Sequence, residues 1–295
     1  MNPTTKAFLQ LHAAVFLAGF TGVLGRLIDL NEGWLVWYRM LLSTLILLFI
    51  LLVRKRTVSI EKKYLLQCIS IGAMIALHWL FFYGSIKYAN VSIALVCFAA
   101  TGSFTALLEP LLMKRRVDMI EVLLGLIVLT GIYLIFHFDA QFKTGIILGV
   151  AAAFLSALFP IFNKRLIQHI PAANLTLYEM GSGWLVLTLL LPVYFYFSPA
   201  YKSIPSLMDW FWLLMLALFC TVLAFQLSVN ALKKISAFTA NLTYNLEPVY
   251  GIALAFLLYH ENKELGKGFY WGIGLIVLSV LIQTLRVWNN KKPSA

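Results

Sequence analysis

Leu41-Leu42-Ser43-Thr44-Leu45-Ile46-Leu47-Leu48-Phe49-Ile50-Leu51-Leu52-Val53 is apolar on every side of a helix. It has neither the two-residue alternation of a half-buried strand nor the single stripe of a surface helix. A helix that is apolar all round needs either a large protein core or lipid around it. The rest of the chain points to lipid. Of 295 residues, 61% are hydrophobic and only 12% are charged, and the mean hydropathy is +0.87. A water-soluble chain of 33.3 kDa could not cover itself with so little polar surface.

Working outward from that stretch, ten runs are long enough, or nearly so, to cross a bilayer as helices. They cover residues 7–28, 33–53, 64–86, 90–113, 119–137, 144–167, 173–197, 208–231, 237–259 and 267–287. Short connections make neighbours antiparallel. Helices satisfy their own backbone hydrogen bonds in lipid, and the alternation of a membrane barrel is missing. The first run is too long for a signal-peptide core and has no clear small-residue cleavage site before Arg26, so it reads as a retained helix.

Lys and Arg set the expected orientation. With the N-terminus inside, sixteen fall on the inner segments and six on the outer ones, and Arg39 lies within a span. The bias places both termini in the cytoplasm of a plasma or inner membrane. The net charge of +11 is spread over several loops and two tails, which argues against a nucleic-acid partner. Cys68, Cys97 and Cys220 all fall in spans at no metal-site spacing and read as packing residues.

The two halves of the chain echo each other in order. Gly125-Leu126-Ile127-Val128-Leu129-Thr130 matches Gly274-Leu275-Ile276-Val277-Leu278-Ser279, and Tyr38-Arg39-Met40 matches Tyr178-Glu179-Met180. Phe16-Leu17 with Arg26-Leu27-Ile28 matches Phe154-Leu155 with Arg165-Leu166-Ile167, and Lys87 matches Lys233. The expectation is a first five-helix repeat over residues 1–140, a second over 141–288, and a cytoplasmic tail at 289–295. Five is odd, so the second copy enters the membrane inverted. Two inverted copies around a central cavity suit alternating access.

Ionisable groups inside the spans are few, and each is costly to bury in lipid, so each should face a cavity, a partner or the interface. Arg39 sits about six residues deep, roughly 9 Å by helical rise. It is a candidate anion ligand, with snorkelling to headgroups as the alternative. Glu247 is the deepest acid. Asn241, Tyr244 and Glu247 follow at i+3 spacing on one face, Asn245 lies beside them, and Pro248 frees a carbonyl one turn back. Tyr38, His78, Trp79 and Tyr83 form an aromatic set that either stacks on a solute or anchors the interface. Gln226 gives span 8 a polar step toward the cytoplasm. Pro110 and Pro248 each follow a glutamate and are candidate gating or kink positions. Glu109 and Glu179 are further candidates, Glu109 with the alternative of pairing with Lys114, Arg115 and Arg116. The depths of Arg39 and Glu179 argue against a salt bridge between them.

With these residues in view, the chain resembles the drug/metabolite transporter superfamily, specifically the EamA-like proteins with ten transmembrane segments. The resemblance spans about residues 7–287. It rests on the five-plus-five repeat, Tyr38-Arg39 near the start of span 2, Leu246-Glu247-Pro248 in span 9, and the Gly-Leu ends of both repeats. It implies an all-α polytopic membrane protein, with ten helices as two inverted repeats around a central cavity. It also implies a secondary transporter of small organic solutes, such as a metabolite or amino-acid exporter. Nucleotide-sugar and organic-phosphate carriers in that superfamily use extra basic cavity residues, and Arg39 is the only basic side chain well inside a span here. The Lys87/Lys233 register sets Thr101-Gly102 against Glu247-Pro248, so the two Glu-Pro pairs are not symmetric equivalents.

No phosphate-binding loop, ATPase motif or zinc pair is present in the sequence. The expectation is no enzymatic activity, no cofactor, no metal and no ATPase subunit. The expected partners are a solute and the bilayer, with Glu247 and His78 as chemical candidates for proton coupling. A lipid-translocating protein, or a non-transporting receptor or assembly protein, are the other classes the sequence leaves open.

Overall fold

The computed structural model describes residues 3–56, 59–114, 116–138, 140–197, 202–235, 237–244 and 246–290, and within these it leaves aside the side chains of 138, 140, 197, 237, 238, 241, 242, 283, 284 and 287–290. The described residues form helices and their links and contain no strand. In chain order the helices are α1 (Pro3–Leu27), α2 (Glu32–Val53), α3 (Lys62–Tyr88), α4 (Val91–Phe98), α5 (Ala100–Met113), α6 (Met119–Phe138) and α7 (Lys143–Leu166). Then follow α8 (Ala172–Phe197), α9 (Leu207–Ala217), a π-helical stretch at Leu218–Leu223, α10 (Ala224–Ala231), α11 (Ala237–Tyr244), α12 (Leu246–Tyr259) and α13 (Lys267–Asn290).

Eight helical stretches among the described residues are long and apolar enough to cross a membrane, with Val91–Met113 and Leu207–Ala231 each counted as one. Two shorter apolar helices, Leu246–Tyr259 and Lys267–Ile282, lie where spans nine and ten were expected. The expected span 237–259 holds α11 and α12 on either side of residue 245, which lies outside the described residues. Pro248 lies in α12.

Local chemistry marks the other starts. Asn31 Oδ1 accepts from the Trp34 amide at 3.0 Å, and Asn90 Oδ1 accepts from the Ile93 amide at 2.8 Å. Ser206 and Asp209 form a reciprocal capping box on α9. The periphery is apolar: Leu189, Leu257 and Leu66 are each more than 70% exposed. A belt of that size would aggregate in water and is at home in lipid.

α3 packs against α7 and α8, α2 against α8 and α9, α1 against α10 and α12, and α13 against α6. Two crossings depend on glycine. A Cβ on Gly183 would lie 2.5 Å from the Gly72 carbonyl oxygen, and one on Gly72 would lie 2.4 Å from the Glu179 carbonyl oxygen. At the α6–α13 crossing, a Cβ on Gly272 would lie 2.5 Å from the Gly131 carbonyl oxygen. Only glycine lets these backbones touch.

Polar contacts close both ends of the bundle. At the end holding the start of α1, Lys164 donates to the carbonyls of Leu232 and Ile235, Arg165 donates to the Leu112 carbonyl at 2.7 Å, and Arg286 pairs with Asp118. At the distal end, Lys202 bridges Asp29 and Asp209 at 3.0 and 2.8 Å, and Lys87 donates to the Ile28 carbonyl at 2.9 Å. The Glu261 carboxylate, fully buried, accepts from the amides of Val91 and Ser92 at 3.0 and 2.8 Å, from the Ser92 hydroxyl, and from Arg26. It therefore supplies an anion at the N-terminus of α4 while tying α1 to α12.

Glu261→Ala should lower stability by about 2 kcal/mol, read as a drop in melting temperature in detergent. The loss falls below the roughly 3–5 kcal/mol of a wholly buried pair because Arg26 keeps a third of its side chain exposed. An unchanged melting temperature would show that the Ser92 end of α4 is held by other contacts.

Asp118 lies in the link before α6. The hydrogen bond from Arg286 holds its carboxyl below the usual carboxylate range, against a smaller opposing effect of burial. A depressed folded-state pKa adds stability above the unfolded carboxylate's range and loses it as pH falls through the lowered value. Asp118→Asn should therefore flatten the acid side of the melting-temperature profile. The amplitude is small, about 1 kcal/mol or less for a pair this exposed.

Candidate functional site

Where α1, α2, α3, α4, α7, α10, α11 and α12 converge, they enclose a cavity of about 70 Å³. That is room for several waters at ~10–15 Å³ each, or for a small organic group. Trp79, Phe82, Phe98, Phe159 and Phe225 supply an aromatic wall. Trp79 meets Phe225 edge-on at 5.7 Å between centroids, and Phe159 stacks on Phe225 at 6.2 Å. Thr21, Ser156, Asn163, Ser228 and Tyr244 add hydroxyl and amide groups. Arg39 brings a guanidinium and Glu247 a carboxyl group.

Arg39 is 1% exposed and held on several sides. Its Nη1 donates to the Tyr83 hydroxyl at 2.7 Å, Nε to the Thr221 hydroxyl at 2.8 Å, and Nη2 to the Cys220 carbonyl at 3.2 Å. Its guanidinium carbon lies 3.7 Å from the centroid of the Trp79 ring, within cation–π range. Cys220 and Thr221 belong to the π-helical stretch, a wide turn of a kind that recurs at functional sites. Thr221 also donates to the Leu216 carbonyl five residues back, at 3.0 Å. The fork has five N–H donors and three of these contacts, so further donors can serve a ligand.

Glu247 begins the second half's side of the cavity. It shares a face with Tyr244, whose hydroxyl is hydrogen-bonded to Ser228. Glu247 and Arg39 interact electrostatically across the cavity, yet no ion pair joins them. His78 lies on the wall, and its Nδ1 is 2.9 Å from the Ala152 carbonyl oxygen. A carbonyl only accepts, so Nδ1 carries the hydrogen in that contact.

Several expected site residues lie elsewhere. Tyr38 is next to Arg39 in sequence but on another face of α2. Its hydroxyl donates to the Ser203 carbonyl at 3.1 Å and its ring packs on Trp34, Trp37 and Trp210. Tyr83 holds Arg39 from behind rather than lining the cavity. Gln226 points away, with Nε2 donating to the Ala172 carbonyl at 3.2 Å. Glu109 is buried in α5 and does not line the cavity. Glu179 is buried in α8 behind the wall and makes no ion pair with Arg39. Pro110 lies within α5, away from the lining. Asn245 lies outside the described residues, as does the Asn241 side chain. The three cysteines are free and buried.

Sequence reasoning missed Thr21, Ser156, Phe159, Asn163, Phe225 and Ser228. Small hydroxyls and phenylalanines are too common in membrane helices to stand out. One signal was present: the Lys87/Lys233 register sets Phe225 opposite Trp79, so one repeat's aromatic predicts the other's.

The EamA-like transporter family model matches this chain twice, over residues 5–137 and 143–285. The chain belongs to the EamA-like transporter family. It is 24% identical over 306 residues to an uncharacterized transporter, YetK, of Bacillus subtilis (strain 168), covering 98% of this chain and 89% of that one. It is also 24% identical over 226 residues to the uncharacterized transporter sll1164 of Synechocystis sp. (strain ATCC 27184 / PCC 6803 / Kazusa), covering 72% of this chain and 64% of the relative. A solved crystal structure of a protein shares the fold with a TM-score of 0.68 at 16% identity, over 95% of this chain and 98% of the other. The chain is an integral membrane protein of a transporter family, built from two copies of one repeat.

Proposed function

We propose that this protein is a secondary transporter of small zwitterionic metabolites, amino acids foremost, and that it exports them by alternating access around the Arg39–Glu247 cavity. The observation that carries this reading is the unpaired placement of those two charges. A guanidinium and a carboxylate face one aromatic-walled space without neutralising each other. Two buried opposite charges that do not meet are costly unless a third party bridges them. A solute with a carboxylate for Arg39, an amine for Glu247 and an apolar side chain for the aromatic wall supplies all three contacts.

Alternating access is supported by how the halves meet. α1 starts at the end of the bundle where α7 finishes, so corresponding first helices run in opposite senses. The packing exchanges under a swap of halves: α3 on α7 corresponds to the π stretch and α10 on α1, and α2 on α8 maps onto itself. This is the relation expected of two inverted five-helix repeats in a ten-segment chain, with residues 1–140 and 141–288 as the units. The loop charge bias puts both termini in the cytoplasm of the plasma or inner membrane.

The test is uptake into proteoliposomes holding the purified protein without ATP, using labelled amino acids and their deaminated or decarboxylated analogues. Movement of a zwitterion in preference to either analogue supports the reading. Movement of lipid alone, or of neither zwitterion nor analogue, overturns it.

A further inference from the structure

Arg39 and Glu179 occupy matching places in Tyr38-Arg39-Met40 and Tyr178-Glu179-Met180, yet their surroundings differ completely. Arg39 has three hydrogen bonds and an aromatic face. Glu179 is fully buried, and neither of its carboxylate oxygens has a hydrogen-bond partner. The register that aligns Lys87 with Lys233 sets Val229 where the first half has Tyr83, so the second copy has no phenol to offer. The Asn163 amide lies beside Glu179. It is 1% exposed, and its Oδ1 also lacks a partner.

A fully buried carboxyl group with no cation paired to it, and with one neutral amide as its polar neighbour, is costly to leave ionised. We propose that Glu179 is a proton-binding site: the carboxyl is protonated in this closed arrangement, and its O–H donates to Asn163 Oδ1. One proton satisfies two orphan groups at once. Uptake converts carboxylate to carboxylic acid, release reverses it, and no other bond changes. A metal ion fits poorly, because hard cations take six or more oxygens and three are on offer. An organic cation fits poorly too, because Glu179 lies behind the cavity wall against the close Gly72–Gly183 crossing.

Among the described residues no ion pair to Glu179 is present. α2 brings Thr44 to this crossing, and the Gln226 amide of α10 is engaged with the Ala172 carbonyl. α3 brings the Cys68 thiol, which interacts with Glu179. Asn163 lines the cavity on its other side, so it stands between the acid and the solute. Release on opening toward the Asn163 side would couple proton movement to the transport cycle. This coupling rests on the transporter reading above, whereas the protonation itself does not.

Infrared difference spectroscopy of the purified protein tests the site directly. At neutral pH the wild type should show a hydrogen-bonded carboxylic C=O band that is absent in Glu179→Gln and retained in Glu247→Gln. Glutamine keeps the size of glutamate and offers Asn163 a donor, so the fold should persist. Should E179Q fail to fold, Asn163→Leu must instead shift the band by removing its acceptor. A wild type without the band, a band that survives in E179Q, or an unshifted band in N163L overturns the proposal.

In proteoliposomes a pH gradient should drive solute accumulation of about tenfold per pH unit for one coupled proton, and E179Q should lose that gradient response. If no solute moves but the band is present, the transporter reading falls and the proton site stands. If solute moves and E179Q responds to the gradient as the wild type does, the coupling falls.

Discussion

Arg39→Ala should raise the half-saturating concentration of a carboxylate-bearing solute roughly 100-fold or more. One lost charge-assisted hydrogen bond accounts for about 1.5–3 kcal/mol, and a bidentate contact for more. The protein should remain folded, because deletion removes the buried charge itself and leaves only hydroxyls and a carbonyl facing a cavity that admits water. Arg39→Lys keeps the charge and loses the fork. A single ammonium cannot reach Tyr83, Thr221 and the Cys220 carbonyl together while facing the solute, so R39K should fall between wild type and R39A. Decarboxylated analogues, which have nothing for the guanidinium, should be indifferent to both substitutions. Wild-type kinetics in a well-folded R39A protein would remove Arg39 from the binding site.

Glu247→Gln should produce the complementary pattern. The amide retains the shape and some hydrogen bonding beside Tyr244 but cannot pair with an ammonium group. The expected result is a weakening of about tenfold or more for amine-bearing solutes and little change for their deaminated counterparts. A purely structural Glu247 would instead show a lowered melting temperature with unchanged kinetics per folded molecule. Measuring both quantities on one preparation separates the outcomes. The double variant R39A/E247Q adds a further constraint: two residues that grip opposite ends of one solute should each matter less once the other is gone.

The helical class, the membrane setting and the repeat were legible because they are statements about composition and order. A stretch such as Leu41–Val53 has no polar face to offer water, so no tertiary arrangement of 295 such residues could make it an ordinary soluble helix. The rarity of charge in the spans singled out Arg39 and Glu247 for the same reason: lipid makes each such residue expensive, so few are present and each stands out. Two matches to one family model, over residues 5–137 and 143–285, bear out the family reading made from Tyr38-Arg39 and Leu246-Glu247-Pro248.

What the sequence could not determine was rotation about each helix and the partner each side chain finds. Tyr38 and Arg39 are neighbours in sequence, yet about 100° of helical turn sends one to the tryptophans of the rim and the other to the cavity. Gln226 and Phe225 separate in the same way. Asn163, Ser228 and Phe159 carry no mark of their own and become cavity residues only because α7 and α10 bring them together. The sharpest case is the pair Arg39 and Glu179. Sequence alone made them counterparts, and only the packing gave Arg39 three hydrogen bonds, one of them to Tyr83, and left Glu179 buried against the Asn163 amide.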